Sequence, residues 1–196
     1  MTVTCDITVS TDGFVAGPNQ SLEHPLGEGA EGLHRWMMEL ADENAAEMAE
    51  IVHAGAFIMG RNMFGPGRGE WDHEWTGWWG DDPPYHAPVF VLTHYRRAPL
   101  VMEGGTTFHF VTDGIESAME QARLVAGEKA VSVAGGASTV RQYLAAGMID
   151  VLRLHVAPVV LRVGEPLLAG LDDVRLEQVS AVDRELVTHV TYRVLH

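Results

Sequence analysis

The sequence predicts an α/β domain built on a mostly parallel central sheet and closed by a C-terminal antiparallel hairpin. Two observations carry the prediction. Short apolar runs alternate along the chain with segments whose apolar residues recur at helical spacing, the pattern of strands joined by crossover helices. The last two apolar runs, 174–182 and 186–195, instead follow one another directly around Asp183-Arg184, the pattern of a hairpin. The chain has 196 residues, 46% hydrophobic and 20% charged, enough to bury one core. No linker divides it, so residues 1–196 read as a single domain.

The elements follow in order. Residues 3–9 alternate as a strand and run into the turn Ser10-Thr11-Asp12-Gly13, then Phe14–Gly17 and a Gly/Pro/Asn loop. Leu33, Trp36, Met37, Leu40, Ala41, Ala45, Met48, Ala49 and Val52 recur at helical spacing, predicting one long amphipathic helix that ends near Gly55. Residues 56–59 form a buried strand, and Gly60-Arg61-Asn62 opens a short helix through Phe64. Residues 66–88, rich in Gly, Trp, Asp and Pro, read as a long ordered loop, a length often tied to function. Further strands fall at 89–92, 107–111, 130–134 and 151–160. Helices run through Ile115–Val125 and from the 135–139 turn to Gly147, a left-handed cap position.

Charge restricts the partners. The net charge of −14 disfavours nucleic acid and anionic membranes, and no apolar stretch has the ~20 residues of a membrane span. The lone cysteine, Cys5, cannot form an internal disulfide, and Met1-Thr2-Val3-Thr4 shows no export pattern, so the expected location is cytoplasmic. Of the 13 Lys+Arg residues, Lys129 is the one lysine. Arginine suits forked contact with phosphate.

Open parallel sheets place ligands beyond the carboxyl ends of their strands, so the turns there are the candidates. Gly135-Gly136-Ala137-Ser138-Thr139 allows close backbone approach, with Ser138 or Thr139 capping a helix whose N-terminus favours an anion such as a pyrophosphate. The alternative is a capped helix with glycines for packing. Gly60-Arg61-Asn62 adds a charge-assisted phosphate contact, or merely a surface arginine. Thr93-His94-Tyr95-Arg96-Arg97 forms a local positive spot suited to a ribose 2′-phosphate, or a solvated loop. All three lie at strand ends, and together they point to NADPH.

These motifs resemble a known superfamily. Residues 10–17, Ser-Thr-Asp-Gly-Phe-Val-Ala-Gly, resemble the first strand end and active-site loop of dihydrofolate-reductase-like proteins, and Ile58-Met59-Gly60-Arg61-Asn62 resembles their Ile-Met-Gly-Arg turn. Residues 131–150 with His155-Val156-Ala157-Pro158-Val159-Val160 are similar to the C-terminal reductase domain of the bifunctional riboflavin-biosynthesis deaminase–reductase. The resemblance implies a three-layer dihydrofolate-reductase-like sandwich, NADPH as hydride donor, a small planar heterocyclic or ribityl-pyrimidine-like substrate, and a homodimer. It places Val15 and Ala16 against the nicotinamide. Gly60, Arg61 and Asn62 would lie near the cofactor phosphates, Thr93, His94 and Arg96 near the adenosine ribose, and Gly135 to Thr139 at the pyrophosphate. Two positions depart from the pattern: Ala134 stands where an acid often precedes the glycine pair, and Val160-Leu161-Arg162 replaces Leu-Leu-Gly. The zinc-ligand motif of the deaminase half is absent from these residues.

Asp12 is the candidate catalytic residue, through substrate orientation or proton delivery; equally it is a turn residue. Trp75 and Trp78, among four tryptophans between 70 and 80, are candidates to floor a flat substrate, or else they anchor the loop. His73 with Asp72 and Glu74 does not make a metal site, because neighbouring positions rarely converge on one ion. Beside the NADPH-dependent reductase stand two alternatives: dihydrofolate reduction, with Glu39, Asp42 or Glu43 gripping the substrate, and a non-catalytic NADPH-binding module. A metal-dependent hydrolase is a further reading.

Overall fold

The structure, a computed structural model, describes residues 1–195. Strand β1 spans Val3–Ser10, and the short β2 spans Phe14–Ala16. After a 3-10 turn at Glu31–His34 come α1 (Arg35–Glu39), α2 (Ala45–Val52), β3 (Ala56–Gly60) and α3 (Arg61–Phe64). Then follow β4 (Pro88–Leu92), β5 (Leu100–Val101), β6 (Thr107–Val111) and α4 (Ile115–Ala126). The last third holds β7 (Val131–Gly135), α5 (Ala137–Ala145), β8 (Val151–Ala157), β9 (Glu165–Pro166), β10 (Arg175–Arg184) and β11 (Val187–Leu195).

Among the described residues, nine strands form one sheet in the order β10-β11-β8-β1-β7-β3-β4-β6-β5. Its centre, from β8 to β6, is parallel, and the hairpin β10–β11 joins antiparallel to β8. The fold class read from the sequence is the one observed. β2 pairs with β9 in a separate two-stranded ribbon.

Alternation along the strands sorts the layers. Val3, Cys5, Ile7 and Val9 of β1 pack with Val131 and Val133 of β7 against Ala118, Met119 and Ala122 of α4 and Val140, Tyr143 and Leu144 of α5. Phe57 and Met59 of β3 face the other way, onto Phe64, Tyr85 and Phe108, and the tryptophan loop covers them. Truncating any of the fully buried aromatics here would cost about 3–5 kcal/mol. The opposite face of β1 carries Thr4, Asp6, Thr8 and Ser10, all buried, beneath the 31–52 segment.

That segment is not the single helix its periodicity predicts. Leu40 takes φ −128°, ψ 36°, and helical structure resumes only at Ala45. The cause is Asn44, which is fully buried. Its Nδ2 donates to the Leu40 carbonyl at 2.8 Å, and its Oδ1 accepts from His189 Nε2 of β11 at 2.8 Å. An amide that bonds the backbone beside it competes with helix continuation. The strand expected over 151–160 also stops early, because Val159 N–H bonds the Ala157 carbonyl at 2.8 Å and turns the chain.

Asn44→Ala leaves the His189 N–H buried without its acceptor. Urea denaturation should show a loss of about 1–3 kcal/mol; an unchanged midpoint would mean that this contact does not hold α2 to the sheet.

Candidate active site

The carboxyl ends of β3, β4, β6 and β7 open onto a cavity of about 1080 Å³. Two glycine positions shape its wall. A Cβ on Gly60 would collide with the Thr139 hydroxyl, so only glycine lets the end of β3 lie this close to α5. Gly135 has φ +134°, and the Gly135–Gly136 peptide is cis. Nothing lies within 4 Å of where a Gly136 side chain would stand. No side chain caps α5; Ser138 and Thr139 do not play the capping role expected of them. The first-turn N–H groups of a helix have no partner inside it, so these remain available to a ligand.

Most of the residues singled out in the sequence meet around this cavity: Val15 and Ala16, Gly60, Arg61 and Asn62, Thr93 and His94, the whole 135–139 turn, and Trp78. Arg61 stacks its guanidinium 3.8 Å from the Trp71 ring centroid and donates to the carbonyls of Gly69 and Glu70. Its Nε is buried with no hydrogen-bond partner. Arg68 joins it on the cavity wall. Thr93 is buried, and its Oγ1 accepts from the Tyr95 N–H at 3.1 Å, shaping the turn after β4.

Three candidates lie elsewhere. Asp12 does not line the cavity; its carboxylate accepts from Ser10 Oγ at 2.6 Å and from the N–H groups of Leu161 at 3.1 Å and Arg162 at 2.7 Å. The Ser10 bond, reinforced by these backbone donors, lowers its pKa to about 2, so it is an ionised loop anchor. Arg96 is exposed and does not line the cavity, while its neighbour Arg97 donates to the carbonyls of His73 and Trp75. The positive spot is therefore built from Arg61 and Arg68 rather than from the arginine pair. Trp75 is an anchor: its Nε1 donates to the Phe64 carbonyl at 3.0 Å, and its ring meets Trp78 edge-on at 4.7 Å.

Sequence reasoning missed the polar end of the cavity, formed by Asp6, Thr8, His34 and His155. Arg153 Nη1 donates to both Asp6 oxygens, at 3.1 and 3.0 Å. His155 Nδ1 lies 2.7 Å from His189 Nδ1, and His155 Nε2 lies 4.0 Å from Asp6 Oδ1. Burial raises the Asp6 pKa despite Arg153. Burial, followed by the positive potential of His189, Arg153 and His34, pushes the His155 pKa down to about 3. The available signal was Asp6 itself, an acid in the middle of an otherwise apolar and hydroxylic run. Thr112, Gly114 and Ile115, at the end of β6, also line the cavity and were not singled out.

A ligand-sized cavity lies at the strand ends of this sheet, on a fold shared with dihydrofolate reductase. The chain belongs to the RibD C-terminal domain family, whose sequence profile matches residues 1–188. Solved structures agree on the fold. A protein from Shewanella sp. PV-4 named for riboflavin biosynthesis superposes with a TM-score of 0.67 at 20% identity, each chain covered in full. The deaminase/5-amino-6-(5-phosphoribosylamino)uracil reductase of Thermotoga maritima gives 0.58 at 16% identity, over 98% of this chain and 56% of that one. Dihydrofolate reductase from Enterococcus faecalis, complexed with NADP(H) and RAB-propyl, gives 0.57 at 15%, over 98% and 96%. A comparison with curated proteins finds no match. Among the described residues, no helix is long and apolar enough to cross a membrane.

The buried His155 predicts an acid-labile fold. Its folded pKa of about 3 lies below the ordinary 6.5, so between these values the unfolded chain binds the extra proton. The stabilisation is complete above about pH 6.5 and is lost as pH falls toward 3. At about 1.4 kcal/mol per pKa unit the loss reaches several kcal/mol. Thermal unfolding from pH 7 to pH 4 should show a steep fall in Tm for the parent and a shallower one for His155→Phe. Equal slopes would remove His155 as the cause.

Proposed function

We propose that the chain is an NADPH-dependent reductase acting on a small planar heterocycle, similar to the 5-amino-6-(5-phosphoribosylamino)uracil reductases. The observation that carries this reading is one cavity with two unlike kinds of lining. Glycine backbone, a helix N-terminus and two arginines make up one part of it; a buried acid and histidines make up another. Its volume accommodates a dinucleotide and a second small molecule side by side.

Two features fit the dinucleotide to these residues. The open space at Gly136 lets a pyrophosphate approach the α5 backbone, where the N–H groups and helix dipole favour anions. The unpartnered Nε of Arg61, with Arg68 nearby, offers donors to phosphate in a chain of net charge −14. When bound, NADPH supplies the hydride. The protein orients the acceptor and excludes water. Val15 and Ala16, held on the β2–β9 ribbon, provide an apolar wall, and Trp78 and Trp79 cover the cavity from the long loop.

Quenching of tryptophan fluorescence reads the binding directly. NADPH should bind tighter than NADH, and Arg68→Ala, an exposed position, should weaken NADPH by about tenfold while leaving Tm unchanged. If neither nucleotide binds, the reading fails. Equal affinity for both would leave the arginines without a role in phosphate recognition.

A further inference from the structure

We propose that Asp6 and His155 form an acceptor pair that recognises an amino group on the ring of the substrate. This rests on the reading of the cavity as a reductase site and names the edge of the ligand that its polar end selects.

The hydrogen-bond chain behind the pair fixes the protonation of His155. Asn44 Nδ2 donates to the backbone carbonyls of Leu40 and Trp36, which can only accept, so the amide orientation is set. Asn44 Oδ1 therefore accepts, and His189 Nε2 must carry a hydrogen. The remaining nitrogen of neutral His189, Nδ1, is then an acceptor. It lies 2.7 Å from His155 Nδ1, which must be the donor. Neutral His155 consequently presents Nε2 as a bare lone pair. That atom is buried and has no hydrogen-bond partner, on a side chain that is 3% exposed and belongs to a cavity-lining residue. Burial holds the ring neutral, which is the state this argument requires.

Asp6 supplies the second acceptor, with Oδ1 4.0 Å from His155 Nε2. Two acceptors facing each other at this distance repel unless a donor stands between them. A nitrogen at ordinary hydrogen-bond length from both would see them roughly 90° apart, which suits the two hydrogens of one NH2 group. Thr8, the cross-strand partner of His155, stands beside the pair. Its Oγ1 accepts from Trp36 Nε1 at 3.3 Å, which leaves its hydrogen for an acceptor. The lining from Thr8 to Asp6 thus offers one donor beside two acceptors. Asn44 and His189 are positioning residues, since they act by fixing the His155 tautomer.

The charged and titratable groups around the pair are Arg153 on β8, Glu50 and Glu47 on α2, His34 in the 3-10 turn, His189 on β11 and Arg184 on β10. Burial raises the Asp6 pKa above the ordinary carboxylate value. Acidification therefore removes the Asp6 acceptor at a higher pH than for a free carboxylate, and amino-group recognition weakens with it.

The test compares 6-aminouracil with uracil, which differ by the one amino group, by calorimetry on the full chain with NADP+ present. The parent should bind 6-aminouracil about tenfold tighter or more, and Asp6→Asn and His155→Phe should each abolish that preference. Circular dichroism and NADPH affinity check that the variants fold. If they do not fold, the parent alone decides: its preference should be lost on acidification at a higher pH than the titration of a free carboxylate. Equal binding of the two probes, no binding of 6-aminouracil, or a preference unmoved by folded variants overturns the proposal. NADPH binding is scored separately. Intact NADPH binding without an amino preference refutes this inference alone, whereas an Asp6-dependent preference without NADPH binding refutes the reductase reading alone.

Discussion

An acid in the middle of a central strand must be compensated, and much of this structure follows from how Asp6 is. Its side chain is 2% exposed on β1. Burying a carboxylate without a partner would cost several kcal/mol, so Arg153 is brought opposite it by the parallel register of β8, where Asp6 and Arg153 are paired residues. The same register puts His155 beside Thr8. The antiparallel register of β11 then places His189 against His155, and His189 reaches Asn44. A chain of polar contacts thus runs from the sheet to the 31–52 segment and interrupts its helix. The face of β1 that would ordinarily be sealed by apolar side chains instead opens onto the cavity.

The glycine lining of the cavity obeys a different constraint, that of backbone approach. Gly60 lets Thr139 come against the end of β3, and Gly135-Gly136 carries the chain from β7 into α5 without a side chain in the way. The tryptophan loop is held in place by hydrogen bonds that leave its rings packed. Trp71 Nε1 donates to Tyr95, Trp75 Nε1 to Phe64, and Arg97 closes two loop carbonyls. Arginine here serves partly as scaffold, its guanidinium lying near the Phe64, Trp71 and Phe110 rings.

The sheet and the glycine end were legible because both leave local signatures: alternation, apolar runs and glycine where the backbone must turn or approach. The polar end was not, because its members come from β1, β8, β11 and the 31–52 segment and meet only through strand register. His155 and His189 are 34 residues apart, and nothing in either neighbourhood marks the other. The break at Leu40–Asn44 was hidden for the same reason. Periodicity through Val52 is intact, and only the distant His189 makes the Asn44 side chain decisive. Asp12 and Arg96 misled in the opposite sense. Both sit in the right turns, but a turn residue can serve the turn itself, as Asp12 does by gripping the Leu161 and Arg162 amides.

The two ends impose a direction on whatever enters. In a chain of net charge −14, a polyanion gains from the arginines and the α5 N-terminus and is repelled by Asp6. A neutral ring rich in N–H groups gains little from arginine, which can only donate, but finds acceptors at Asp6 and His155. Exchanging the two ligands would place phosphate against a buried carboxylate and N–H groups against guanidinium, and both contacts are unfavourable. On the proposed reading, orientation therefore follows from the chemistry of the walls. The neutrality of His155 matters to this: a protonated ring would turn the acceptor end into a cationic one and erase the difference between the two ends.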